Sequence, residues 1–171
     1  MTATLETAST NLAATAGKYL TFLLGHESYA LPVLKVREII RLVEITPVPH
    51  MPPYVKGVIN LRGKLVPVMD LRIRFDLAAR EFTESTCILV AQVKAQSGGT
   101  MPMGLVVDGV EEVLNLGQGD IEETPDFGIK VAAECLLGMA NLKGKVVALL
   151  DIDQVVDKAS LERMHEGAAT T

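Results

Sequence analysis

Acid–base or metal chemistry in this chain would have to come from three histidines, two cysteines and a few carboxylate pairs, and their spacing supports neither. His26, His50 and His165 fall in a turn, a proline-rich connection and a tail. None has a neighbour at ligand spacing, whereas a structural zinc site takes about four ligands. Cys87 and Cys135 sit in apolar surroundings without CxxC spacing and read as small core residues in a reducing compartment. The carboxylate pairs are Glu111-Glu112, Glu122-Glu123 and Asp151/Asp153. Neighbours on a strand point to opposite faces, so Glu111 and Glu112 cannot easily share the cleft that paired acid–base work requires. Gly117-Gln-Gly119 has the look of a phosphate loop, but no Lys-Ser/Thr follows it. No nucleophile stands beside a base. The residues therefore predict no catalytic site, no metal and no cofactor, which leaves binding functions.

The elements that would carry such a function are set by an internal repeat. Gly57-Val-Ile-Asn-Leu-Arg-Gly-Lys-Leu-Val-Pro-Val-Met-Asp-Leu71 returns 81 positions later as Gly138-Met-Ala-Asn-Leu-Lys-Gly-Lys-Val-Val-Ala-Leu-Leu-Asp-Ile152. A second echo aligns Leu31-Pro-Val-Leu-Lys-Val-Arg-Glu-Ile-Ile40 with Leu105-Val-Val-Asp-Gly-Val-Glu-Glu-Val-Leu114. Two matches in the same order predict a duplicated unit of roughly 70 residues. What both halves keep is explained by folding; what one half alone carries is a candidate for recognition.

Each copy predicts a hairpin, Val58–Leu61 and Lys64–Met69 in the first, turning at Arg62-Gly63 and, in the second, at Lys143-Gly144. Asp70 and Asp151 then cap short helices. Lys18–Leu24 and Tyr29–Leu31 predict a hairpin, with a helical turn over Val33–Val36 before a strand Glu38–Val43. Another hairpin pairs Thr86–Val93 with Met101–Asp108. A short helical turn is expected over Tyr54–Lys56, after Pro53. Many short strands with few helical patterns predict an all-β fold of small antiparallel barrels that bury apolar surface against each other. Residues 1–17 and 159–171 read as tails, leaving 18–158 as the folded part.

The bulk numbers narrow the partners. Sixteen basic against 21 acidic residues give a net charge of −5 with no basic stripe, and aromatic content is only 4%. Nucleic acid would demand clustered cations and stacking platforms. The longest uncharged stretch, Ala95 to Val107, contains Gly98, Gly99 and Pro102, and falls short of the roughly 20 apolar residues a spanning helix needs.

The hairpin tips both place a cation at a protruding turn. For Lys143 a solvated turn residue is sufficient explanation. Arg62 has a second reading, because the first half supplies Arg37-Glu38 where the second has Glu111-Glu112. An arginine fork pairs well with a carboxylate, so Glu38 and Arg62 could form a fixed ion pair at a recognition surface.

Tyr29-Ala-Leu-Pro-Val-Leu-Lys-Val-Arg-Glu38, Lys56-Gly-Val-Ile-Asn-Leu-Arg-Gly63, Val66-Pro-Val-Met-Asp-Leu-Arg72, Gly104-Leu-Val-Val-Asp-Gly-Val110 and the closing Gly138–Ile152 segment, in this order, resemble the CheW chemotaxis coupling proteins. The resemblance runs from about Lys18 to Val156. It implies two pseudo-symmetric five-stranded SH3-like β-barrels, intertwined and packed around a common core. It also implies a non-enzymatic cytoplasmic adaptor at membrane-associated arrays, binding the cytoplasmic tip of chemoreceptors and the regulatory domain of a CheA-type histidine kinase. Carried over residue by residue, the receptor-facing groove would include Val36, Glu38, Arg62, Leu65, Cys87 and Ile88. The kinase-facing surface would use Leu42, Val43 and Ile45, each of which also fits as barrel core. Two other readings stay open: an adaptor in a related chemosensory circuit, and a small-ligand-binding barrel.

Overall fold

The computed structural model describes residues 16–75, 77, 81–95, 98–122, 135–142 and 144–156. Residues 1–15, Glu123, Lys143, His165 and the expected C-terminal tail lie outside them. Strands β1 (Gly17–Leu24) and β2 (Glu27–Pro32) form the first hairpin, and a 3-10 turn at Val33–Lys35 leads into β3 (Val36–Arg41). The repeated hairpin is β4 (Val55–Leu61) and β5 (Lys64–Asp70), followed by helix α1 (Leu71–Arg74). Next come β6 (Cys87–Lys94), β7 (Thr100–Val107), β8 (Gly109–Leu116) and the two-residue β9 (Ile121–Glu122). The second copy of the hairpin is β10 (Leu136–Leu142) and β11 (Lys145–Leu150), closed by α2 (Ile152–Val155).

The sheets show how the repeat is folded. One runs β3-β6-β7-β5-β4 and the other β8-β1-β2-β11-β10-β9. The two orders coincide when β3, β4, β5, β6 and β7 are matched with β8, β10, β11, β1 and β2. Both contain one parallel pair at the same place, β5 with β7 and β11 with β2. The second half is therefore completed by the N-terminal hairpin, and the chain must return on itself before that half can close. Neither ladder closes into a barrel, because β3 and β4 stand at opposite edges of their sheet. A single bridge, Thr46 to Val58, spans that gap in the first half, and β9 paired to β10 does so in the second.

Gly57 explains how the bridge fits. It has φ of +139°, and a Cβ there would lie 1.9 Å from the Thr46 carbonyl oxygen. Only glycine admits that approach. Tyr54 to Lys56 departs from the expected helical turn: the Val55 amide donates to the Pro52 carbonyl in a tight turn, and β4 begins at Val55. The missing proline donors end the irregular connection there, and the ladder to Met69 takes over.

Three apolar clusters hold the halves. Ile59, Val66, Val68, Ile88, Val90 and Val106 fill the first half. Tyr19, Ala30, Leu116, Ala140, Val147 and Leu149 fill the second. A larger shared core between them includes Phe22, Tyr29, Leu31, Leu89, Leu105 and Leu150. The apolar run in β6 follows from this: Ile88 and Val90 enter the first-half core, while Leu89, Ala91 and Val93 enter the shared one. A strand buried on both faces has no polar alternation.

Candidate functional site

Arg62 and Gly63 form a two-residue loop between the paired Leu61 and Lys64. Both have positive φ, +51° and +84°. That is the geometry of a type I′ hairpin turn, whose twist matches the flanking strands. Asn60 Oδ1 accepts a hydrogen bond from the Gly63 amide at 2.9 Å and fixes the turn. An arginine in the left-handed region costs on the order of 1 kcal/mol, which a surface turn without a task would avoid by carrying Asn or Gly.

The conformation aims the guanidinium at β3. Arg62 Nη2 donates to Glu38 Oε2, joining the two edges of the open sheet where the ladder does not. The hydrogen bond from Arg62 holds the Glu38 carboxyl below its ordinary range against the opposing effect of desolvation, and the charges of Arg62 and Arg37 add to the lowering. The same bond raises the Arg62 value. Beside the pair, Leu65 is 51% exposed and Ile39 47% exposed. An ion pair flanked by exposed aliphatic side chains offers both charge and apolar area at one surface.

The other expected residues separate by burial. Val36 and Cys87 are half-buried against the shared core, and burial pushes the Cys87 thiol up. Ile88 is fully buried in the first-half core, beneath the surface rather than on it. Leu42 and Ile45 pack from one side on that core, while Val43 is exposed. Together with Glu44, Lys56 and Phe82 they line an open groove of about 460 Å³. Leu42 also borders a second depression of about 740 Å³ that runs along Ile39–Leu42 and Thr83–Cys87.

Sequence reasoning missed Arg72. Its guanidinium is buried at 2% exposure. It donates to Asp70 through Nε (3.0 Å) and Nη2 (2.8 Å), and to Asp108 Oδ1 through Nη1 (3.1 Å). Asp108 Oδ2 in turn accepts from the Gly25 amide at 2.7 Å, so the network ties α1 of one half to the β1–β2 hairpin of the other. Arg72 also stacks over the Phe82 ring that lines the groove, 5.1 Å from its centroid. The repeat held the signal: Asp70-Leu-Arg72 corresponds to Asp151-Ile-Asp153. There the charge is inverted, and Asp153 takes Lys35 at 3.0 Å and the Lys94 amide at 2.7 Å.

Among the described residues no group of three His, Cys, Asp or Glu could hold a metal, and no buried side-chain polar atom lacks a partner. No helix among the described residues is long and apolar enough to cross a membrane.

Comparison with known proteins agrees with this architecture. The chain is 35% identical over 158 residues to the chemotaxis protein CheW of Klebsiella aerogenes, covering 92% of each. It is 35% identical over 136 residues to that of Rhizobium meliloti, covering 80% of this chain and 84% of the relative. The crystal structure of the scaffolding protein TtCheW from Thermoanaerobacter tengcongensis superposes with a TM-score of 0.73 at 28% identity, covering 85% of this chain and 96% of that one. Residues 18–160 match the CheW-like domain, and the chain belongs to that family.

Proposed function

We infer that the protein is a non-enzymatic coupling adaptor of chemotaxis, joining the cytoplasmic tip of chemoreceptors to the regulatory domain of a CheA-type histidine kinase. One observation carries the reading: an arginine held in a disfavoured conformation reaches across an open sheet to Glu38, beside exposed Ile39 and Leu65. This surface is the receptor-docking site, with Val36 and Cys87 at its margin and Ile88 supporting it. The groove of Leu42, Val43 and Ile45 is the kinase-docking site. Two separate surfaces let both partners be held at once, and unequal affinity for the receptor's signalling states then changes the kinase. Modest binary affinities suffice where many such contacts are linked in an array.

The test is assembly. Full-length protein mixed with a receptor cytoplasmic fragment and the kinase regulatory domain should elute as a three-component complex. Arg62→Ala should lose the receptor while keeping the kinase. Mutually exclusive binding of the two partners would refute a two-surface adaptor.

A further inference from the structure

The repeat provides an internal comparison at the docking surface. In the second half, Lys145 Nζ donates to Glu111 Oε2 at 2.9 Å, and Ser28 Oγ donates to Glu111 Oε1 at 2.8 Å. This pair ties β8 to β11 and leaves little net charge there. The strand registers match Arg37 in the first half to Glu111, and Lys64 to Lys145. The first half thus places two cations where the second places an ion pair.

They cannot neutralise each other. Glu38 is already engaged by Arg62, and among the described residues neither Arg37 nor Lys64 takes part in an ion pair. Both are exposed. The apolar content of the two surfaces is alike, since Val113 (55% exposed) and Val146 (48%) stand where the first half has Ile39 and Leu65. Charge is what distinguishes the surfaces. The difference extends through the chain: residues 33–107 hold ten basic and six acidic side chains, while the remainder holds six basic and fifteen acidic.

We propose that Arg37 and Lys64 form a cationic seat for a carboxylate side chain of the docking partner, whose neighbouring aliphatic groups rest on Ile39 and Leu65. The occupant is an acidic–apolar protein segment, and the proposal rests on the docking role of the Glu38–Arg62 surface. The charge difference makes the choice between them: the second half presents a self-neutralised pair in an acidic surround, while the first half presents two unpaired cations that attract such a segment. Without that difference two surfaces of similar shape would compete for one partner.

Calorimetric titration of the full-length protein with a purified chemoreceptor cytoplasmic fragment tests this at low and at physiological salt. Arg37→Glu gives Lys64 the partner that Lys145 already has, and Lys64→Glu gives one to Arg37. Each should weaken binding about tenfold at low salt, with the deficit shrinking as salt screens the charges. Thermal midpoints should stay near that of the parent, and Glu111→Gln in the other half should bind as the parent does. Parent-like binding by both reversals while Arg62→Ala is impaired would overturn the seat and leave the docking site standing. Parent-like binding by Arg62→Ala as well would remove the docking site itself.

Discussion

Replacing Asp70 by Asn keeps its capping oxygen and removes its charge, and the repeat supplies a matched control in Asp151→Asn. Each aspartate accepts from the amide two residues on, Arg72 N at 2.9 Å and Asp153 N at 3.2 Å. Asn caps helices about as well as Asp, so the control should cost about 0.5 kcal/mol or less. Asp70 differs because it also takes two hydrogen bonds from the buried Arg72. Breaking a buried pair from one side costs about 3–5 kcal/mol, since the remaining charge is left without compensation. Asp108 still holds Arg72 Nη1, which places the expectation at the lower end, about 3 kcal/mol. For a chain of this length that is a fall of roughly 6–12 °C in Tm. The chain has no Trp, so unfolding by urea is best followed by far-UV circular dichroism. Equal losses in the two variants would show that Arg72 gains nothing from Asp70 beyond the cap.

Gly57→Ala would drive a methyl group into the Thr46 carbonyl and should cost more than about 2 kcal/mol. Gly138→Ala, whose nearest contacts are 3.0 and 3.1 Å, should cost less, and urea midpoints would rank them. Burial pushes the Tyr19 phenol up to about 12 and raises Tyr29 further, helped there by Glu27. The native state then keeps protons that the unfolded chain releases, so stability should fall as pH rises past about 10. A flat profile of thermal midpoint from pH 9 to 11 would contradict the burial of both phenols. Desolvation pushes Glu111 up, but the bonds from Lys145 and Ser28 outweigh it and leave its carboxyl below the ordinary range. Its contribution to stability is present above about pH 4.5 and fades as pH falls through the lowered value. Lys145→Ala should raise that titration midpoint, read from the side-chain carboxyl resonance.

The duplicated hairpin, its turn and its capping aspartate were legible in the sequence because each depends on neighbours in the chain. Val58 to Asp70 carries two short apolar runs, a glycine turn and a cap in close succession, and β4, β5 and α1 follow it closely. The Glu38–Arg62 pair was legible by comparing the halves, since one has an arginine tip with Arg37-Glu38 where the other has a lysine tip with Glu111-Glu112. The completion of the second half by β1 and β2 was not, because strand order depends on pairings more than 80 residues apart, such as Leu23 with Gly109. Arg72 was missed for a related reason. Its burial depends on Asp108 and on Phe82, which arrive from separate loops, and an arginine after a cap otherwise reads as surface. Ile88 was legible as apolar, but its direction was not: β6 is buried on both faces, so periodicity could not tell the surface from the core.

The adaptor reading meets its most direct test in the autophosphorylation rate of a CheA-type kinase reconstituted with receptor fragment, with and without this protein. Receptor control of the rate should appear only when the protein is added, and should be lost with Arg62→Ala although that variant still binds the kinase. A kinase that responds to receptor equally well in its absence would contradict the account.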